Sequence, residues 1–190
     1  YLALTGASIG AGDLLHLGLA DYCVDPTTIA DLTQRLSQAT TADDVSAILA
    51  AAQTPAPPAM LIEHENLLSQ AFETENIEMS IDVLQKSGGV FAEEACARLL
   101  SASPTSLKLT CRLLKLAHRA ARLEDELINE YRAACSLLAG HDLYEGIRAA
   151  IIDRDKNPRW GPATLAGVDD DVIDALLRGT GDPDPVFATG

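Results

Sequence analysis

The chain has 190 residues, 28 acidic against 14 basic side chains, a net charge of −14, and 47% apolar but only 4% aromatic content. That length and composition suit one domain or a little more with a sizeable core, and they exclude a disordered chain. No run approaches the roughly 20 continuous apolar residues of a membrane-spanning helix, and the acidic total argues against a general nucleic-acid binder.

The chain opens on Tyr1-Leu-Ala-Leu-Thr-Gly6, without Met and without a signal-peptide n-region, as though cut from a larger fold. Leu2 and Leu4 run into a turn at Thr5-Gly6, and Ala11–Leu17 reads as a helix stopped at Gly18. Leu19–Val24 reads as a short strand. Asp25-Pro26 opens the next helix as N-cap and first-turn proline, with Ile29, Leu32 and Leu36 at helical spacing. Thr41 and Asp44 resemble a capping box, followed on one face by Val45, Ile48, Leu49 and Ala52. Pro55-Ala56-Pro57-Pro58 breaks the pattern and marks a linker.

Beyond it the periodicity is helical. Leu61, Leu68 and Phe72 fit one segment, and Ile77, Ile81 and Leu84 fit another that stops at Gly88-Gly89. Phe91, Ala95 and Leu99 fit a third, and Ser103-Pro104 opens a longer helix with the serine as N-cap. Leu123, Leu127, Tyr131, Ala134, Cys135 and Leu138 give a strong amphipathic face that ends at Gly140. Asp142 and Glu145 read as the next capping box, with Tyr144, Ile147 and Ile151 lining the helix behind it. Asp169-Asp170-Asp171 precede a last short apolar helix. A lone strand among so many helices leaves its backbone groups without partners, which also points to a fragment.

Four cysteines (Cys23, Cys96, Cys111, Cys135) and four histidines (His16, His64, His118, His141) lack the clustered pairs of a zinc site, so no metal site is expected. The cysteines read as small hydrophobes in a reducing cytoplasm.

Two sets of residues carry a family resemblance. Tyr1-Leu-Ala-Leu-Thr-Gly6, Ala11-Gly-Asp13 and Gly18-Leu-Ala-Asp-Tyr-Cys-Val-Asp25 resemble the crotonase (enoyl-CoA hydratase/isomerase) superfamily. Ser103-Pro-Thr-Ser-Leu-Lys-Leu-Thr110, Glu130-Tyr-Arg132, His141-Asp142, Glu145-Gly-Ile-Arg-Ala149 and Ile152-Asp-Arg-Asp-Lys-Asn-Pro-Arg-Trp160 are similar to its 3-hydroxyisobutyryl-CoA hydrolase branch. The resemblance runs from Tyr1 to about Leu165, with residues 40–100 matching only in helical spacing. It implies a mainly α chain: the C-terminal end of a crotonase-type α/β spiral of β-β-α turns, plus a helical C-terminal region. The implied organisation is 1–54 as the end of the core and following helices, 55–59 as the linker, 60–165 as the helical region, and 166–190 as an acidic tail.

The implied chemistry uses two backbone N–H groups to stabilise charge on a thioester oxygen, with acidic side chains handling protons and water. Both lie upstream of the matching passages, so no catalytic residue is expected here and the chain alone is expected to be inactive. The resemblance points first to a thioester hydrolase of valine breakdown. A hydratase or isomerase on the same scaffold, or a non-catalytic helical half supporting a separate catalytic chain, are the alternatives. Coenzyme A would enter as part of the acyl-CoA substrate, with no separate cofactor. The implied partners are that substrate and the missing N-terminal half, and a homo-oligomer is left open.

The sharpest local pattern is Lys108, Arg112, Lys115, Arg119 and Arg122, which share one face if their helix continues. They read either as a row for coenzyme A phosphates or, favoured, as a solvated face answered by Glu124, Asp125, Glu126 and Glu130. Arg154, Lys156, Arg159 and Trp160 form a second candidate, although Ala149–Asp153 lacks the aromatic–lysine pair that many crotonases place near the adenine. For Trp160 the favoured reading is packing of the tail. His141 beside Gly140 reads as a turn residue.

Overall fold

The structure, a computed structural model, describes residues 1–74 and 76–187. Its contacts divide the chain into two compact units, Ser8–Asn66 and a larger one made of Tyr1–Ala7 with Leu67–Gly190. Among the described residues the regular structure is helical, and no helix is long and apolar enough to cross a membrane.

In the smaller unit, α2 (Ala11–His16) follows α1 of the larger one (Leu2–Thr5), and Gly18 turns the chain at φ +67°. The Asp25 carboxylate accepts the Thr27 amide at 2.8 Å and starts a short turn, Pro26–Thr28, that runs into α3 (Ile29–Leu36). The Thr41–Asp44 box forms in both directions at the head of α4 (Ala42–Ala52), with Asp standing where Glu or Gln is usual.

Leu19–Val24 is not a strand. Leu19 is exposed, and among the described residues the segment's pairing is limited to one antiparallel bridge between Val24 and Gln53, beside a 2.7 Å bond from the Thr54 amide to the Cys23 carbonyl. The partner segment runs at once into Pro55, Pro57 and Pro58, which have no N–H to donate, so the ladder stops after one rung. The same prolines lie inside this unit rather than between units. Pro57 and Pro58 press their carbonyls on Gly12, where a Cβ would stand 2.2 and 2.6 Å from the two oxygens. Beside that contact the buried Asp13 carboxylate accepts the Leu61 amide at 2.7 Å.

After α5 (Glu65–Phe72), the larger unit is built on α6 (Ile77–Ser87), α7 (Val90–Ser101), α8 (Pro104–Arg119) and α9 (Leu123–Leu138). The expected apolar positions make its main core: Ile77, Ile81 and Leu84 meet Ala95 and Leu99, with Leu4 and Leu107 closing it. The Tyr1 ring stands edge-on to Phe72 and tilted against Phe91, at 5.8 and 5.6 Å. A second cluster joins Leu109, Ala133, Val168 and Ile173. Ile173 belongs to α11 (Asp170–Arg178), so the stretch read as an acidic tail carries a helix whose apolar side is core.

Two further expectations are corrected. α8 ends at Arg119, where Ala120 turns extended (ψ 133°), so the row of five cations does not continue along one helix. The Asp142–Glu145 box does not form either. Gly140 is the N-cap of α10 (His141–Ile147), and both acids are buried within the helix. α10 runs on into a π turn, Arg148–Ile152, and its expected apolar face is largely exposed at Tyr144, Ile147 and Ile151.

Candidate functional site

Three of the five candidate phosphate contacts come together. Lys108, Arg112 and Lys115 lie at i, i+4 and i+7 on α8, which stacks them on one face. That face lines a cleft of about 380 Å³, shared with Glu78 of α6 and Asp170 and Ile173 of α11. Cys111, on the next turn, borders the cleft, and burial pushes its thiol up from the usual range.

The cations in the cleft already hold partners. Lys108 Nζ donates to the Val168 carbonyl at 3.0 Å and pairs with Glu78 at 3.1 Å. Arg112 donates to Asp174 at 2.6 Å. The solvated-face reading named other acids, Glu124 to Glu130. Of those, Glu124 and Asp125 meet Arg122, in the break before α9. The acids that answer α8 come from elements remote in sequence, which helical spacing could not disclose.

Arg154 and Lys156 stand apart from that cleft, in the segment after the π turn, at φ +56° and +52°. Two non-glycine residues in the left-handed region within three positions need a strong local cause. It is Arg148, whose guanidinium donates to Glu145 at 2.9 Å through two nitrogens, to Asp153 at 2.5 Å, to Asp155 at 2.7 Å and to the Asn157 carbonyl at 3.2 Å. The alternating acids and bases of Asp153–Lys156 are thereby sorted: the acids pair with Arg148, whereas Arg154 donates to the Ile151 carbonyl at 3.2 Å and Lys156 is exposed. Sequence reading gave Arg148 only as part of the Glu145–Ala149 motif, with no role of its own. The available sign was its place three residues after Glu145, with acids five and seven residues further on.

Around this hub the motif residues lock together. Glu145 also accepts the Arg159 amide at 2.6 Å, and its carboxyl is pulled down to about 2, chiefly by Arg148. Asp142 accepts the Ser103 hydroxyl at 2.5 Å and the Gly161 amide at 2.8 Å, while Ser103 in turn accepts the Ser106 amide as N-cap of α8. Trp160 Nε1 donates to the Ser101 carbonyl at 3.0 Å, and its ring lies on α10, 3.3 Å from where a Gly146 Cβ would be. His141 Nε2 meets the Arg159 carbonyl at 3.1 Å, which makes that nitrogen a donor rather than a base.

The chemical capacity of these groups follows from their partners. Each of the buried carboxylates Asp13, Asp142 and Glu145 is engaged by amide, hydroxyl or guanidinium donors, which suits holding backbone in place rather than moving protons. No group of three or more His, Cys, Asp or Glu among the described residues is arranged to hold a metal ion. What remains is two exposed or half-exposed sets of cations, on α8 and on the 154–156 segment, able to meet anionic groups.

The family model described as enoyl-CoA hydratase/isomerase matches residues 1–177. Mitochondrial 3-hydroxyisobutyryl-CoA hydrolases are similar: that of Danio rerio is 34% identical over 92% of this chain and 47% of its own length, and that of Bos taurus 34% over 98% and 50%. The Homo sapiens protein of the same name is 31% identical, over 98% of this chain and 50% of its own length. The chain thus spans about half the length of the curated relatives it matches. Among solved structures, a carnitinyl-CoA dehydratase from Mycobacterium thermoresistibile superposes with a TM-score of 0.81 at 33% identity, over 96% of this chain and 51% of its own. An enoyl-CoA hydratase from Rhodobacter sphaeroides also gives 0.81, at 29% identity, over 97% and 52%.

Proposed function

The chain belongs to the enoyl-CoA hydratase/isomerase family, and on that premise we propose that it forms the helical C-terminal half of an acyl-CoA enzyme of the 3-hydroxyisobutyryl-CoA hydrolase type. The observation that carries this reading is the convergence of the hydrolase-like motif residues. Ser103, Asp142, Glu145, Arg148, Arg159 and Trp160, up to 57 positions apart, meet around α10 through hydrogen bonds that include the Trp160 bond to the Ser101 carbonyl. The motif is therefore a scaffold signature, and its acids are spent on structure. The oxyanion donors and the acid that activates water would then come from the other half, and the substrate would be a short 3-hydroxyacyl thioester of coenzyme A, as in valine breakdown.

Lys108, Arg112, Lys115, Arg154 and Lys156 are the proposed contacts to the phosphates of coenzyme A. The exposure of Arg154 and Lys156 supports their part directly, whereas Lys108 and Arg112 would exchange internal partners for the ligand. The complementary half and the substrate are the proposed partners. The relatives' names place those proteins in mitochondria. For this chain four unpaired cysteines support a reducing compartment, proposed as cytoplasmic.

The test is thiol release from 3-hydroxyisobutyryl-CoA. The 190-residue chain alone is expected to show none, and mixing with a complementary half is expected to produce it. Turnover by the chain alone would overturn the assignment of catalysis to the other half. A hydratase reading is favoured by the two solved structures, and the same assay separates it, since hydration of an enoyl-CoA frees no thiol.

A further inference from the structure

The cleft on α8 carries its own anion. Arg112, the middle one of the three cations in the cleft, is taken at 2.6 Å by Asp174 of α11, and Asp170 of the same helix lines the cleft. Lys108 is likewise held by Glu78 and by the Val168 carbonyl at the approach to α11. The body of α11 is fixed: Ile173 is 1% exposed, Ser136 donates to the Leu176 carbonyl at 2.7 Å, and Arg132 of α9 grips Asp184 just beyond. The Asp174 side chain is not fixed in the same way. It is 46% exposed and Arg112 32%, so the pair is a half-solvated one whose net strength is small and whose carboxylate can rotate to water.

We propose that Asp174 is an internal competitor, occupying from α11 the guanidinium that a polyphosphate ligand would take. The inference rests on reading Lys108, Arg112 and Lys115 as phosphate contacts, and adds a built-in threshold to them. A single negative charge gains little by displacing Asp174. A ligand with two or more linked phosphates meets Arg112 and its neighbours together and exchanges with the carboxylate, while α11 stays docked on Leu109 and Ala133. Binding would then shift the Asp174 side chain without moving the helix.

Inorganic pyrophosphate is the probe, titrated calorimetrically at low ionic strength into the wild-type chain and into Asp174→Asn, Arg112→Gln and the double variant. Thermal melts of each verify folding. Asp174→Asn keeps the shape and removes the charge, and is expected to tighten binding about two- to fivefold, the range that a weak surface pair allows. Arg112→Gln is expected to weaken binding, and in the double variant the gain from Asp174→Asn should vanish. If Arg112→Gln weakens binding but Asp174→Asn leaves it unchanged or weaker, the competition is wrong while the phosphate contact stands. If neither substitution alters pyrophosphate affinity, or none of the proteins binds it, the phosphate reading itself fails and takes the competition with it.

Discussion

Glu145 shows how a conspicuous acid can be structural. Within hydrogen-bond reach it has the Arg148 guanidinium and the Arg159 amide, and these donors favour its charged form strongly enough to lower it from the ordinary 4.5 to about 2. Arg148 is correspondingly held charged, and Asp155 is lowered by the same guanidinium. A carboxyl that binds protons less readily folded than unfolded contributes stability above its unfolded value, and loses it as pH falls towards its folded value. For Glu145 that window runs from about pH 4.5 down to about 2. Glu145→Gln should therefore be clearly less stable than wild type at pH 7, and the difference between their urea midpoints should close across that window. A difference that stays constant down to pH 2.5 would mean that the charge of Glu145 does not matter to the cluster. The role was not legible in sequence, because Asp142 and Glu145 also fit a capping box. Only the distant donors Ser103, Gly161 and Arg159 decide that both side chains are used elsewhere.

At the scale of elements, what was legible was whatever depends on neighbours in sequence. The Asp25, Thr41 and Ser103 caps form as read, and the apolar spacing of α6 and α7 places Ile77, Leu84 and Leu99 in the core. Elements that depend on remote partners were misread. Leu19–Val24 has strand composition but finds a single rung before the prolines, and the five-cation row breaks where Ala120 leaves the helix. Proline spacing suggested a linker at 55–59, yet those carbonyls are packed on α2 through the absent side chain of Gly12. Gly12→Ala would push a methyl against backbone that cannot rotate away, and is expected to cost about 1–3 kcal/mol in a chemical melt, with α3 and α4 keeping their caps. The Trp160 contact is the parallel case in the larger unit. Trp160→Ala removes ring packing on α10 and the bond to Ser101, and should cost about 2 kcal/mol while leaving coenzyme A affinity unchanged. Lost affinity at retained stability would reassign Trp160 to the ligand.

Over the whole molecule the charge of −14 is unevenly held. Residues 1–97 carry 2 basic and 14 acidic side chains, residues 98–159 carry 11 and 8, and residues 160–190 carry 1 and 6. The basic middle contains both candidate cation sets, and α11 from the acidic end answers one of them, so part of that imbalance is resolved by folding. Residues 8–66 hold 8 of the 14 acids of the front against a single base, Arg35, and this unit has the thinnest core. Within Ser8–Asn66 only Gly12, Asp13, Leu32 and Leu61 are buried, and α4 buries nothing despite its apolar composition. The larger unit has two apolar clusters. Local opening is easiest where few apolar contacts cover the backbone hydrogen bonds. Amides of α3 and α4 should therefore exchange with deuterium by local opening, far faster than those of α6 and α7, whose protection should approach the global limit. Adding salt should slow exchange in residues 8–66 by screening their 8 acids, set against Arg35 alone, and change α6 and α7 less. Equal protection of α4 and α7 would mean that something other than the core described above stabilises residues 8–66, and the other half of the relatives' length would be the first place to look for it.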